Sequence, residues 1–283
     1  MSIQHIITHP GGAHKDDFLA SSLMIYKYGV PVLRKEPSVE EVANASIAVV
    51  DVGGEHEPLR MNFDHHQFPA DYEPTCALSL VLRHLGLYEE ARQYCDWLET
   101  SEWLDTRGAV KTAKWLGIER SAMAKLNSPV DITLLRRFAK QDKHEAGQPV
   151  YEVMRMIGED MVSFLKGMRE RMKEIEKQSE IWVIDDTFKV MFIPRVEPMV
   201  GEPSAGLGRY IESNEPDCVA MVYPDRRGTG YGLSRYNDDL RLDFTRVDSC
   251  DDVHFAHKSG FMAKSSATTP ERLRELLSSA WVG

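Results

Sequence analysis

The sequence predicts an α/β fold, a doubly wound parallel sheet joined by a long helix to a smaller α/β C-terminal domain. Three observations predict it. Two short, β-branched apolar runs, Ile3 to Thr8 and Ile47 to Val52, end at chemically active residues, as buried parallel strands do. Helical patterns lie between and after these runs, giving the strand–helix–strand alternation of an open sheet. A long helical stretch from about Val150 to Glu180 then separates them from a second group of strand-like runs. At 283 residues the chain exceeds the usual single core, so it divides into a metal-binding catalytic domain at 1–149, a connecting helix at 150–180 and a substrate-binding domain at 181–283.

Taken in order, Phe18 to Tyr28, Leu78 to His84 and Glu89 to Leu98 read as helices of the first domain. In the connecting helix, opened by Pro149, an apolar stripe of Met161, Leu165, Met168, Met172 and Ile175 reads as packing against a core rather than as a ligand groove. Ile181 to Ile184, Val190 to Pro194 and Cys218 to Tyr223 are expected strands. The run Asp225 to Gly232, with three alternate glycines, is a hairpin turn rather than a phosphate loop. Thr269, Pro270 and Glu271 supply the cap, first-turn and dipole chemistry of a final helix.

Composition narrows the function. A formal charge of −10 argues against a broad basic face gripping long duplex nucleic acid, though a short phosphate-bearing substrate stays open. Cys76, Cys95, Cys218 and Cys250 are isolated and read as buried free thiols. The N-terminal residues lack signal-peptide character, and no apolar run approaches the roughly 20 residues of a bilayer span, which places the protein in the cytoplasm without membrane partners. A homodimer is left open.

Chemistry concentrates early. Six of the ten histidines fall within the first 66 residues. His9, His14 and Asp16 follow the first strand, Asp51 follows the second, and Asp64, His65 and His66 come soon after, so three loops at carboxyl strand ends can converge. Mixed imidazole and carboxylate ligands suit Mn, Fe, Co or Zn. The set is large enough for two metals, with Asp51 as the bridging carboxylate, and such a pair supplies an activated hydroxide for phosphoester or phosphoanhydride hydrolysis. His5, His56, His84 and His144 read as ordinary satisfied polar residues, Asp17 as a helix cap, and Glu55 and Glu57 as solvated charges. Trp97, Trp103 and Trp115 read as core rather than as a base-stacking platform.

These residues resemble the DHH phosphoesterase superfamily, named for the triplet that stands here as Asp64-His65-His66, which includes RecJ-type exonucleases, oligoribonucleases and family II inorganic pyrophosphatases. The segments Thr8-His9 through His14-Lys15-Asp16, Val50-Asp51-Val52-Gly53-Gly54 and Asp64-His65-His66-Gln67 are most similar to the melanocyte-proliferating-gene (Myg-type) exonuclease family, in which a His replaces the first Asp of the opening motif. Near the C-terminus, His257-Lys258-Ser259-Gly260-Phe261 resembles that family's His-x-Ser-Gly-Phe segment. The resemblance implies that His9, His14 and Asp51 hold one divalent ion, and that Asp16, Asp51, His65 and Asp105 hold a second. Mn²⁺ is the expected ion, with Mg²⁺ or Co²⁺ as substitutes. It further implies His66 as the catalytic histidine, Asp64 as the residue orienting the imidazoles, and His257, Lys258, Ser259 and Gly260 as substrate-binding; Arg235 is added to that group for its charge near a strand. The activity implied is a 3′ to 5′ exonuclease on short single-stranded RNA or DNA. Two alternatives stand beside it, a hydrolase of small phosphoanhydrides or cyclic dinucleotides and a non-catalytic, metal-stabilised binding protein.

Overall fold

The computed structural model describes residues 2–125, 128–199 and 201–283. The chain forms two compact units, Met1–Gly167 and Met168–Gly283, and the division falls inside one continuous helix.

In the first unit the elements run β1 (His5–Thr8), α1 (Lys15–Tyr28), β2 (Val32–Arg34), α2 (Val39–Ala43), β3 (Ile47–Val50), β4 (His56–Glu57), β5 (Asn62–Phe63), α3 (Ala77–His84), α4 (Tyr88–Tyr94), α5 (Asp96–Trp115), α6 (Arg120–Lys125), α7 (Pro129–Ala139), β6 (Lys143–His144) and α8 (Pro149–Gln178). The sheet order is β4-β5-β3-β1-β2-β6, parallel through the central four strands and antiparallel at both edges. Successive residues of a strand face opposite sides. Ile6, Ala48 and Val50 therefore enter the large core with α1 and α3, while Ile7, Ile47 and Val49 enter a smaller cluster on the other face. Both faces are covered, which is why these strands read as unbroken apolar runs.

Strands β2 and β3 flank β1, so the chain leaves β1 in one direction and returns on its other side. In open α/β sheets this reversal point is where ligands bind. Register sharpens the argument: Thr8 pairs with Val50, and Val50 with Phe63. His9, Asp51 and Asp64, each the next residue along its chain, consequently emerge side by side.

Helix positions differ from expectation in two places. The stretch Glu89 to Leu98 is not one helix, because Cys95 takes a non-helical conformation (φ −119°, ψ 89°) between α4 and α5. Helix α5 then runs to Trp115 with a break at Gly108 (φ 74°, ψ 164°). That region is essentially closed to residues with a Cβ, so a glycine is required to bend the helix there. The bend stacks Trp103 on Trp115 at 4.8 Å, but Trp97 and Trp115 stay exposed, so these tryptophans are not core as expected.

Helix α8 packs directly on α1. A Cβ at Gly158 would lie 2.2 Å from the Ser22 carbonyl oxygen, so only glycine permits this backbone approach. Its stripe packs as expected: Leu165 and Met161 join the large core of the first unit, and Met172 and Ile175 join a cluster of the second.

The second unit contains β7 (Glu180–Ile184), β8 (Phe188–Phe192), α9 (Leu207–Asn214), β9 (Cys218–Pro224), β10 (Tyr231–Arg235), β11 (Val253–Ala256), β12 (Met262–Ser265) and α10 (Pro270–Ala280). Its sheet order is β11-β12-β10-β9-β8-β7, antiparallel except for the β8–β9 pair, whose crossover carries α9. Asp225 to Gly230 is indeed a hairpin turn, closed by the Asp225 amide donating to the Gly230 carbonyl at 2.9 Å. Thr269 caps α10 by accepting from the Arg272 amide. No helix among the described residues is long and apolar enough to cross a membrane.

Candidate metal centre

The strand ends deliver their side chains to one buried point. Asp51 lies at its middle: its Oδ2 is 3.5 Å from His9 Nε2, and its Oδ1 is 3.1 Å from His65 Nε2. His65 Nε2 also lies 2.9 Å from Asp105 Oδ2, and Asp105 Oδ1 is 3.8 Å from His14 Nδ1. Donor atoms of His14, Asp16 and Asp105 fall within 4.8 Å of one another, as do those of Asp51, Asp64, His65 and His66. All eight site residues expected in the first domain are thus brought together. Asp51 holds a left-handed backbone (φ 59°) that Asp tolerates better than most residues. Its amide is anchored by donating to the Phe63 carbonyl at 3.0 Å.

Asp105 reaches the site from α5, three residues before the break at Gly108, rather than from a loop. Asp64 does not point at Asp51 in the way a simple ligand would. Its Oδ2 accepts from the Gly54 amide at 2.7 Å, and its Oδ1 accepts from the His66 amide at 3.1 Å and lies 2.7 Å from His66 Nδ1. It therefore ties the β3 turn to the Asp-His-His segment and fixes the His66 ring, leaving Nε2 of that largely exposed side chain unclaimed.

Two supporting residues were not singled out from the sequence in these roles. Asp17 caps α1, accepting the His14 amide at 2.8 Å, but its other oxygen stands 3.2 Å from His9 Nε2. Arg34, buried at the end of β2, donates to the His9 carbonyl at 2.9 Å and the Gly12 carbonyl at 3.2 Å, and lies 3.4 Å from Asp17. One cation thus neutralises Asp17 and braces the loop that carries His9. The sequence signal was present, since Arg34 ends a strand beside β1, but a lone Arg at a strand end is not distinctive.

The electrostatics have no comparable balance around Asp16. Its side chain is 1% exposed, and neither carboxylate oxygen has a hydrogen-bond partner. Burial raises its pKa well above the ordinary range, and the neighbouring charges of Asp51, Asp105 and Asp17 raise it further. Asp51 is raised as well, burial outweighing its bond to His65. Burial pulls the His65 pKa down, but the flanking carboxylates of Asp105 and Asp51 overcome it and push the group up to about 10. His9 rises to about 9, chiefly through Asp17 and against burial. An unpaired buried carboxylate costs several kcal/mol, on the order of 3–5 where a partner is missing. A site built from clustered acids and imidazoles with orphaned oxygens fits a divalent cation, and its mixed donor set suits Mn, Fe, Co or Zn over an all-oxygen preference.

Part of this chain is similar to a known family. Residues 5–82 match the MYG1 exonuclease family model, described as an uncharacterised protein family (UPF0160). The segment is similar to that family. It carries His9, His14, Asp16, Asp51 and the Asp64-His65-His66 triplet, whereas Asp105 lies beyond it. Human MYG1 exonuclease is 41% identical over 71 residues, covering 24% of this chain and 18% of that protein. The chain thus spans less than a fifth of the curated relative's length in the matched region. Among solved structures, a pGpG-specific phosphodiesterase, PggH, from Vibrio cholerae superposes over 98% of this chain and 97% of its own with a TM-score of 0.30 and 10% identity. A DHH domain protein, PF0399, superposes over 98% of this chain and 86% of its own with a TM-score of 0.32 and 12% identity. Likeness at that level is loose.

In the second unit, His257, Lys258, Ser259 and Gly260 form one tight turn between β11 and β12. The Ser259 amide donates to His257 Nδ1 at 3.1 Å, and the Gly260 amide donates to the His257 carbonyl at 2.7 Å. Arg235 departs from its expected role. Its side chain is 7% exposed, donating to the Leu242 carbonyl and pairing with Asp238 at 2.9 Å, while its amide donates to the Phe261 carbonyl at 2.9 Å. The guanidinium is spent on Leu242 and Asp238, and the bond to the end of the turn comes from the backbone amide. His144 is only half satisfied, with Nε2 lying 2.9 Å from the Phe138 carbonyl and Nδ1 buried without a hydrogen-bond partner.

Proposed function

We propose that the chain is a divalent-metal-dependent phosphoesterase that removes nucleotides from the 3′ end of short single-stranded RNA or DNA. The observation that carries this reading is Asp16, a buried carboxylate with no donor, set among further acids and histidines at a sheet reversal point. His9, His14 and Asp51 are proposed to hold one ion, and Asp16, Asp51, His65 and Asp105 a second, with Asp51 shared between them. Mn²⁺ is the proposed ion, one of the four that such a donor set suits. When bound, divalent ions of this kind supply an acidic water and draw charge from phosphate oxygens.

The chain's own residues do the rest. Asp64 accepts from His66 Nδ1, so the other ring nitrogen is set to carry a proton to or from the oxygen that leaves phosphorus. Asp17 and Arg34 hold the His9 loop in place. The turn His257 to Gly260 is proposed to recognise phosphate through the Lys258 ammonium, its His257, Ser259 and Gly260 amides being spent on holding the turn in shape. The exonuclease name of the human relative favours nucleic acid as substrate; the formal charge of −10 favours, as a second reading, a small phosphoanhydride or dinucleotide.

A denaturing-gel time course with 5′-labelled RNA and DNA oligomers and Mn²⁺ tests the proposal. A descending ladder is expected, with the rate reduced by at least about 100-fold in Asp51→Asn, the scale seen when a residue acting on the transition state is removed. An intact band with every length would end the nuclease reading, and cleavage confined to dinucleotides would favour the second.

A further inference from the structure

A cleft of about 290 Å³ opens beside the metal centre, with His65, His66 and Asp105 at one end. Nothing in the proposed ligand set uses the remainder of its wall. That wall is formed by the segment from Phe68 to Thr75 and by the first turn of α5 beyond Arg107.

Four features make it a built site. Phe68 and Tyr72 are packed together, with ring centroids 4.7 Å apart, yet Tyr72 is 43% exposed, so one face of an aromatic pair is left to the cleft. The segment is held in shape by Arg107, which donates to the Ala70 carbonyl at 2.6 Å and also to the Tyr72 carbonyl. Thr75 lines the cleft at 2% exposure, and its hydroxyl has no hydrogen-bond partner. Lys111, an exposed residue one turn past Arg107, lines the same wall and makes no ion pair among the described residues. The lining acid Glu73 is paired with Arg83 at 3.3 Å and so adds little repulsion.

The geometry points to a nucleotide subsite: the aromatic face of Tyr72 stacks one base, the Thr75 hydroxyl bonds a sugar hydroxyl or base edge, and Lys111 meets a phosphate of the same chain end. Every base presents a π-face, so stacking of this kind holds single strands without reading sequence. A double helix cannot present an unstacked base to such a wall, which makes the cleft selective for single-stranded ends. Its volume suits one nucleotide at a time. This subsite rests on the proposed reading of the neighbouring centre, to which it gives a substrate class.

Binding without turnover separates the two. Calorimetric titration of the full chain with Mn²⁺ present, using adenosine monophosphate and base-free ribose 5-phosphate, should show the nucleotide bound more tightly by about 5- to 150-fold, the range of base–aromatic stacking. Tyr72→Leu should bring that ratio close to one. Because Tyr72 is exposed, the exchange leaves the fold intact. Lys111→Gln should instead weaken both ligands alike and flatten the salt dependence of binding. Equal affinities in the parent protein, no binding of either ligand, or a ratio that survives Tyr72→Leu would overturn the subsite. A protein that keeps the ratio but cleaves no phosphoester would sink the proposed function and spare the subsite; an active hydrolase without the ratio would do the reverse.

Discussion

Two buried carboxylates in the first unit, Asp16 and Glu102, differ in the company they keep. Glu102 is 0% exposed and Asp16 1% exposed. Glu102 Oε1 accepts from Ser79 at 2.7 Å and Tyr88 at 2.8 Å, and Oε2 lies 3.6 Å from Arg92. Its surroundings supply two donors to Oε1 and a cation near Oε2, which has no hydrogen bond of its own. Those of Asp16 supply three more carboxylates and leave both its oxygens without a donor. A carboxylate kept for stability is given partners during folding, whereas one left bare among like charges is held in readiness for a ligand that completes it.

The largest expected contrast is in metal binding. Asp16→Asn should lower Mn²⁺ affinity by about 10- to 100-fold or more, at least the loss seen on removing groups that merely support ligands. Glu102→Gln should leave it within a few fold. Calorimetry on metal-stripped protein reads both, and equal losses would break the comparison. In chelator-treated protein the stability order should invert. Glu102→Ala should cost about 2–4 kcal/mol in urea unfolding, through a lost bonded group and a cavity. Asp16→Ala should leave the apo protein as stable as its parent or more so, because it removes an uncompensated charge.

Acid titration sharpens the same contrast. Burial raises the Glu102 carboxyl above its ordinary value of 4.5, against its bonds to Ser79 and Tyr88. Between 4.5 and that raised value the folded state binds the extra proton, so stability falls as pH rises through this window. Unfolding measured across pH should therefore show Glu102→Gln gaining on the parent toward neutral pH and losing that advantage near 4.5. A parallel offset at every pH would show that Glu102 titrates alike in both states. The smallest effect sets the scale: Thr269→Ala, remote from both acids, should cost about 1 kcal/mol by loss of the α10 cap and leave Mn²⁺ affinity unchanged.

How much of this was legible depended on how local the cause was. Strands β1 and β3 announce themselves because both faces are buried, and the residues at their ends follow from sheet topology, so His9, Asp51 and the Asp64-His65-His66 group could be read directly. The α4–α5 break could not: Cys95 is neither Gly nor Pro, and nothing nearby marks it as non-helical. Gly108 was visible as a glycine, but its place inside a longer helix, with Asp105 just before it, required the tertiary contacts that re-form the helix beyond. Asp17 was rightly taken as a cap, while its second contact, to His9, depends on a packed loop and Arg34. For Arg235 the charge was legible and its partners, the Leu242 carbonyl and Asp238, were not. Tyr72 and Thr75 carry no motif at all; only the folded segment sets their unused surfaces toward the same cleft.

The contact between Gly158 and Ser22 has a bearing on how the chain can vary. Helix α1 begins at Lys15, so Asp16 and Asp17 travel with it as one rigid rod, and α8 presses on that rod with no side chain between the two backbones. Even the smallest replacement at position 158 would move the rod and with it two carboxylates less than two turns away. A residue with no donor, charge or volume of its own is thereby as closed to substitution as any ligand, and random mutagenesis scored by activity would flag it as though it belonged to the centre.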